Sequence, residues 1–293
     1  VYAPDWSTDE RLVYTKKLFD LIAAIVPEGV SGSVSTVPGS FKAWTANDAD
    51  RRANIFTNMT AIGRYVAELS DRTGRDLHLG LEPEPCCYFE TTPETIEFFE
   101  GWRATDAAVE SEGLLRRVGV NYDCCHLGVE FESAANSLDL LTAAGIRLSK
   151  IHLSSALRVK PDAAGRAAVA AFVEPTYLHQ VVVGNATTGE VRKRYVDLPD
   201  ALADSDAADP DDEWRVHFHL PLHASPGAPF SDTRDHLLDT LDWMKAHPDA
   251  CQHAEMETYT WEVLPSALRI GIEDQLVREY EWTLESLKSR GLA

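Results

Sequence analysis

The 293-residue sequence predicts an α/β fold of the TIM (β/α)8-barrel type, in which helices cover a parallel sheet. Short apolar, β-branched segments alternate with longer segments of helical periodicity along most of the chain. Several short segments end in Asp, Glu or His, and barrel enzymes carry their functional residues at the carboxyl ends of their strands. With 44% hydrophobic residues, the chain can bury a large core. We therefore expect one barrel domain over residues 1–293.

The order of the elements follows from these patterns. The first helix is predicted to begin at Ser7, because Ser7 and Glu10 have the spacing of a capping box. Apolar or alternating composition predicts six strands, at 31–37, 77–82, 118–123, 148–153, 214–220 and 254–261. Helical periodicity predicts helices at about 48–72, from 92 onward, and at about 133–144, 231–247 and 273–289.

A complete barrel has eight strands, so this count leaves two strands missing. The sequence opens with a helix and with Val1 instead of a methionine. We therefore expect it to begin inside a longer protein, so that its strands are strands three to eight. One segment, about 174–200, interrupts the alternation and is predicted to be an inserted β-hairpin that turns at "GNATTGE". The acidic stretch that follows it, 200–213, predicts a solvated loop.

Charge and composition narrow the classes of partner. A formal net charge of −20 opposes binding to a phosphate backbone, so we expect no nucleic acid. No segment approaches the roughly 20 apolar residues of a membrane span, so we expect no membrane insertion. Four of the five cysteines form adjacent pairs, at 86–87 and 124–125. Because adjacent cysteines make strained disulfides, we expect reduced thiols and a cytoplasmic protein.

Side chains that can bind metals lie at the ends of five predicted strands. They are Glu82, Glu84, Asp123, His126, His152, His217, His219, Glu255 and Glu257. In a barrel these strand ends meet at one mouth. Carboxylates with imidazoles suit Mn, Zn, Fe(II), Co or Mg, so the sequence predicts a divalent metal of open identity. Taken singly, each side chain is more often a helix cap, a salt-bridge partner or a hydrogen-bonded core residue.

Two further features near these strand ends have competing explanations. The two adjacent pairs, Cys86–Cys87 and Cys124–Cys125, lie beside two of these strand ends and are candidate soft ligands, but a cysteine beside apolar residues is more often a small buried hydrophobe. His179, in the predicted hairpin, is able to reach over the barrel mouth or to face solvent. We expect it to face solvent.

The order of the motifs resembles a known superfamily. "LEP", then "D-x-x-H", then a strand-borne His with an Arg six residues later, then "E-x-Y", is similar to the xylose-isomerase-like sugar isomerases and epimerases. Within that superfamily, "STVPGSFK", "LEPEPCC", "NYDCCH", "KIHLSSAL", "YLHQV", "HFHLPL" and "ETYTWEVLP" look like the EboE-type metabolite-traffic proteins. These motifs extend from about residue 30 to residue 265. The resemblance implies a divalent metal, a small polyhydroxylated or carbonyl substrate and a possible homodimer.

The resemblance also assigns roles to individual residues. The metal ligands of the epimerases fall on Glu82, Asp123, His152 and Glu257. The two glutamates of this set are also the acid–base pair in those enzymes. The positions that resemble substrate contacts are His126 and Arg158, and we add Lys150 and Ser154 as candidates for binding hydroxyl or phosphate groups.

A related branch of the superfamily suggests a second metal position. Phosphodiesterases of the endonuclease IV type have "D-x-H" where this chain has His217 and His219, and these two histidines with His126 would form it. The function implied first is a metal-dependent isomerase or epimerase, with a secondary-metabolite pathway as its setting. Two alternatives stay open: metal-dependent phosphoester hydrolysis, and non-catalytic, metal-assisted binding or traffic of a metabolite.

Overall fold

Two five-stranded sheets organise the chain. The computed structural model describes residues 2–205, 209–266 and 268–293. The strands are β1 (Gly32–Thr36), β2 (Leu77–Leu81), β3 (Val118–Asp123), β4 (Leu148–Leu153), β5 (Leu157–Val159), β6 (Val181–Asn185), β7 (Val191–Tyr195), β8 (Asp212–Val216), β9 (Phe230–Asp232) and β10 (Ala254–Met256). The helices are α1 (Asp9–Ile25), α2 (Lys42–Thr45), α3 (Ala49–Thr73), α4 (Thr92–Thr105), α5 (Ala108–Ser111), α6 (Cys124–Val129), α7 (Ala134–Ala143), α8 (Ala163–Val169), α9 (Leu198–Ala203), α10 (Arg234–Ala246) and α11 (Ile272–Lys288). Short 3-10 turns lie at Leu114–Arg116, Ala170–Phe172 and Tyr259–Glu262.

Contacts along the chain define two units. The first unit contains residues 2–122, Ser137–Ile151 and Asp249–Glu255. The second contains Asp123–Asn136, His152–Pro248 and Met256–Ala293. The strands β3, β4 and β10 therefore begin in the first unit and end in residues of the second.

A parallel sheet forms the centre of the first unit. Its strand order is β1-β2-β3-β4-β10, and the pairs β1–β2 and β2–β3 are parallel. All five residues of β2 are buried, as expected for a parallel strand that is covered on both faces. Helix α3 contacts β2 and α1; Asp48 caps its start, and Gly74, with φ +67°, ends it. The fold is thus mixed α/β, and its parallel sheet is compatible with an α/β barrel; closure into eight strands stays a prediction.

An antiparallel sheet forms the centre of the second unit, in the order β7-β6-β8-β5-β9. The predicted hairpin is present as β6 and β7, which pair antiparallel with a register shift after Val183. The buried side chains of this core are Leu157, Val159, Val169, Phe172, Val181, Val183, Leu198, Ala201, Trp214, Val216, Phe218, Leu220 and Leu264. Along β8, alternate residues enter this core, which is the pattern of a strand with one core-facing side, whereas β6 is also buried on its other face, where Val182 packs with Cys125.

The predicted strand at 214–220 is wrong in its length and in its partners. Strand β8 ends at Val216 and pairs antiparallel with β5 and β6, so it does not belong to the parallel sheet. The strand stops because the Phe218 N–H turns back to the Val216 carbonyl, at 2.7 Å. The Leu220 N–H then donates to Ser155, at 2.8 Å. His217 and His219 therefore lie on an irregular segment, not in a strand.

Other predicted boundaries also change. Thr8, not Ser7, caps α1, since its hydroxyl accepts the Arg11 N–H. The predicted strand at 254–261 ends at Met256 and is followed by a 3-10 turn. The predicted acidic loop is helical through Ala203, and its residues 206–208 lie outside the described residues. The strands predicted at 31–37, 77–82, 118–123 and 148–153 are confirmed as β1 to β4.

The structure describes the state of the cysteines and the character of the helices. All five cysteines are buried and none is in a disulfide. In the part of the chain that the structure describes, no helix combines the length and the hydrophobicity that crossing a bilayer requires.

Because His236, on α10, is buried, we expect the folded protein to lose stability in mild acid. Burial is the main cause that lowers the pKa of His236 to about 4. In the unfolded chain the pKa is about 6.5, so between these values only the unfolded state takes up the proton. The stability that the neutral ring contributes is complete above about pH 6.5 and decreases as the pH falls towards about 4, by roughly 3 kcal/mol in all.

We expect this effect as a fall in the urea unfolding midpoint between about pH 7 and about pH 4.5. His236→Asn, which cannot be protonated, should reduce that fall. The control is His247→Asn, at an exposed position. An equal pH dependence in the His236→Asn variant and the parent protein would contradict the assignment.

Candidate metal centre

Three predicted ligands come together in the second unit. Asp123 is the last residue of β3, His152 is the last residue but one of β4, and Glu257 follows β10 directly. Each offers one ligand atom, and these atoms lie within 4.8 Å of one another. His152 Nδ1 is 2.9 Å from Glu257 Oε2 and 3.4 Å from Asp123 Oδ2. The two carboxylates of Asp123 and Glu257 face the same nitrogen, so their charges favour a cation in the space between these side chains. The oxygen and nitrogen donors of the cluster suit a divalent metal.

The local chain geometry orients Asp123. Its Oδ1 accepts the His126 N–H at 3.0 Å, so Asp123 is the N-cap of α6. The Ser154 hydroxyl donates to the same oxygen at 2.7 Å and accepts the Cys125 N–H at 2.8 Å. With Oδ1 occupied by two donors, Oδ2 is the oxygen directed at His152. The carboxylate is therefore held in one orientation before any metal binds.

The electrostatic surroundings keep Asp123 ionised. Burial is the largest influence on its pKa and favours the neutral acid. The opposing effects of His126 and His219, with that of His152, nevertheless hold the pKa of Asp123 well below its usual range. An ionised carboxylate that is fully buried is the state that metal ligation requires.

Three imidazoles form a second cluster beside the first. The ring of His126 lies 4.8 Å from that of His217 and 5.3 Å from that of His219, measured between centroids. His217 and His219 are 5.3 Å apart in the same measure. All three are buried, and burial is the main cause that holds the pKa of His217 well below its usual value. Asp123, His126 and His219 also offer ligand atoms within 4.8 Å of one another.

His179 is buried, so the expectation that it faces solvent is wrong. Only 1% of its surface is exposed. Its Nδ1 lies 2.9 Å from the His217 carbonyl oxygen, and its Nε2 lies 3.0 Å from Glu174 Oε1. The physical reason is the pairing of β6 with β8, which brings the residues before β6 alongside those after β8. His179 thus supports the segment that carries His217.

Two predicted site residues belong to the first unit. Glu82 follows β2, and its Oε2 accepts a hydrogen bond from Asn121 Nδ2 at 2.9 Å. Lys150 is buried in β4, where its Nζ donates to Ser35 Oγ at 2.9 Å and to Glu255 Oε2 at 2.5 Å. Their roles in metal and substrate binding stay predictions.

The contacts of the other two substrate-binding candidates are structural. Arg158 pairs with Asp235, at 2.8 Å, and its Nε lies 3.5 Å from Glu213. Ser154 is fully buried and is engaged with Asp123 and Cys125. A substrate contact stays a prediction for both residues, while the structure gives Ser154 a role in orienting Asp123.

The structure includes one donor that the sequence pattern did not favour. Cys125 offers a ligand atom within 4.8 Å of those of His217 and His219. Its position two residues after Asp123 was the available signal. The competing explanation, a small buried hydrophobe, is also met, since Cys125 packs with Val129, Ala156 and Val182.

Comparisons with protein-family models and with curated proteins give no match to this chain.

Proposed function

We propose that the protein is a divalent-metal-dependent isomerase or epimerase of small polyhydroxylated carbonyl compounds. The observation that carries the proposal is the convergence of Asp123, His152 and Glu257, two carboxylates and one imidazole, at the ends of strands of a parallel sheet. The motif order that resembles the xylose-isomerase-like superfamily supports it and adds Glu82 as the fourth ligand. The finer assignment, to the EboE-type proteins of a secondary-metabolite pathway, rests on that resemblance alone.

Isomerisation and epimerisation both require removal of a proton from the carbon next to a carbonyl group. A bound divalent metal supplies Lewis acidity to the substrate oxygens, which lowers the pKa of that C–H group. Glu257 would move the proton, because its carboxylate is one-third exposed while Asp123 is fully buried and fixed. Epimerisation also needs a second base on the opposite face, and the resemblance assigns this role to Glu82. Isomerisation requires only one base that moves the proton between neighbouring carbons.

Metal content and proton exchange together test this function. The purified protein would be analysed by inductively coupled plasma mass spectrometry, loaded with Mn²⁺, Co²⁺ or Zn²⁺, and incubated in D₂O with ketoses and ketose phosphates. We expect metal-dependent incorporation of deuterium at the carbon next to the carbonyl group, seen by NMR. Metal-loaded protein that binds such a compound without exchange would reject catalysis and leave a metal-assisted binding or traffic protein.

Glu257→Gln is expected to lose exchange more completely than metal. The amide keeps an oxygen ligand and the side-chain volume but cannot accept the proton, so exchange should fall by roughly 10²–10⁴-fold. The measurement is the exchange rate at saturating metal, with metal content determined on the same sample. Glu262→Gln, at an exposed position on the next turn, is the matched control. Equal exchange rates in Glu257→Gln and in the parent would refute the acid–base role.

The three-imidazole cluster favours one second candidate, metal-dependent hydrolysis of a phosphoester. The three rings of His126, His217 and His219 are enough to hold a second metal beside the first. Two neighbouring metals stabilise both the attacking and the leaving oxygen of a phosphoryl displacement. Two or more metals per chain, with phosphate release from small phosphoesters and no deuterium exchange, would move the assignment to a hydrolase. The net charge of −20 then directs the search to small substrates instead of nucleic acid.

A further inference from the structure

We infer that Cys125, His217 and His219 form a thiolate-containing site for a zinc-type metal ion, separate from the cluster of Asp123, His152 and Glu257. One sulfur and two nitrogen donors lie within 4.8 Å of one another in the second unit. A set of Cys and His donors selects Zn²⁺ and its relatives over Mg²⁺ or Mn²⁺. The inference does not rest on the proposed function, because it concerns a different set of ligands.

His217 provides an observation that packing alone does not explain. The residue is 4% exposed, and its Nε2 is buried without a hydrogen bond to any residue that the structure describes. A buried polar atom left unsatisfied costs on the order of 1–3 kcal/mol. An apolar side chain at this position would avoid that cost, so the nitrogen is expected to have a ligand of its own.

A backbone contact of His219 leaves Nε2 as the ring nitrogen that is available to a metal. Its Nδ1 lies 2.8 Å from the Glu257 carbonyl oxygen, and since a carbonyl only accepts, Nδ1 carries the proton. In the neutral ring Nε2 then keeps its lone pair, which is the usual arrangement of a metal-binding histidine with a backbone partner. The Thr260 hydroxyl also donates to the His219 carbonyl, at 2.5 Å, and so fixes the backbone that carries the ring.

The sulfur donor is positioned with comparable precision. Cys125 is fully buried in the first turn of α6, and its N–H donates to Ser154 Oγ at 2.8 Å. In a zinc site the metal lies roughly 2.0–2.3 Å from each donor, which places donors about 3.5 Å apart. Because the three donor atoms lie within 4.8 Å of one another, reaching this spacing requires movement of at most little more than an ångström, which side-chain torsions can supply.

A fourth position is available next to this set. His126 Nε2 lies 3.3 Å from His219 Nε2, a spacing that two ligands of one metal also have. The sulfur is what distinguishes this site from the all-histidine arrangement of His126, His217 and His219 predicted from the sequence.

Cobalt spectroscopy of the whole chain tests the inference directly. Co²⁺ replaces Zn²⁺ in such sites, and a thiolate ligand adds an intense near-ultraviolet charge-transfer band that oxygen and nitrogen ligands do not give. We expect the parent protein titrated with Co²⁺ to show this band, and added Zn²⁺ to remove it. Cys125→Ser should abolish the band. Cys124→Ser is the matched control, because Cys124 is the equally buried neighbour and belongs to no ligand group among the described residues.

Every outcome decides the question. Cobalt bound without the band, no cobalt bound at all, or a band that survives Cys125→Ser would overturn the site. A band lost equally in Cys124→Ser would also overturn it. If Cys125→Ser does not fold, His217→Gln keeps the sulfur and should still weaken Co²⁺ binding by at least 10-fold with an altered ligand-field spectrum. Asp123→Asn should retain the charge-transfer band, so failure of the proposed isomerase centre and failure of this site give different results.

Discussion

Asp123→Ala is expected to abolish metal retention at the cluster of Asp123, His152 and Glu257. The substitution removes a carboxylate that is fully buried and held in orientation by Ser154 and by the His126 N–H. Loss of even an outer partner of a metal ligand costs about 10–100-fold in affinity, so loss of the ligand itself should cost at least that. The measurement is a competition titration against a chromophoric chelator, followed by metal analysis of the dialysed protein. Full metal occupancy in this variant would refute the ligand assignment.

A second variant separates ligation from helix capping. Alanine also removes the N-cap of α6, which alone costs about 0.5–2 kcal/mol of stability. Asp123→Asn keeps a capping oxygen but loses the charge, because asparagine is as good an N-cap as aspartate. We expect both variants to lose the metal of the Asp123, His152 and Glu257 cluster while the Cys125 site keeps its own, and only the alanine variant to lower the urea midpoint clearly. If Asp123→Asn retained metal at that cluster with parental affinity, the carboxylate charge would not be what holds it.

Gly119→Ala is expected to destabilise the fold strongly. A Cβ atom added at Gly119 in β3 would lie 2.2 Å from the Arg147 carbonyl oxygen, which is a backbone atom and cannot rotate away. That oxygen also accepts the Val120 N–H at 2.8 Å, so moving it would break a hydrogen bond between β3 and the start of β4. Overpacking a core typically costs 1–3 kcal/mol, and this clash with backbone should cost about 3 kcal/mol or more.

Urea unfolding at constant pH measures this prediction. Gly63→Ala, on helix α3, is the matched control, because its added Cβ would make only ordinary contacts, the nearest at 3.4 Å. Since alanine is favoured over glycine inside a helix, the control should be neutral or more stable by roughly 0.5–1 kcal/mol. A Gly119→Ala variant as stable as the parent would mean that β3 and β4 can separate without loss.

Local pattern was enough to predict the elements of the parallel sheet. Strands β1 to β4 and the helices α3 and α4 follow from apolar runs, caps and helical periodicity, which depend on neighbouring residues alone. The candidate ligands Asp123, His152 and Glu257 were predictable as a group for a related reason. Parallel strands present their carboxyl ends to one edge, so residues far apart in sequence meet if the strands are correctly identified.

Pairing between distant segments was not predictable in the same way. The alternation of buried and less buried residues from Trp214 to Val216 correctly indicates a strand. Such a pattern does not show which strand is the neighbour or in which direction that neighbour runs. The structure pairs β8 with β5 and β6, and this pairing also buries His179.

The sequence alone therefore determined the α/β character of the chain, most of its helices, the strands of the parallel sheet and the chemistry of its carboxylate and imidazole donors. The tertiary structure decided which donors group together. It placed Cys125 with His217 and His219, left His217 Nε2 buried without a hydrogen bond among the described residues, and directed Ser154 to Asp123. The physical reason is that secondary structure follows from short-range periodicity, whereas a ligand set depends on side-chain direction and strand pairing across long stretches of chain.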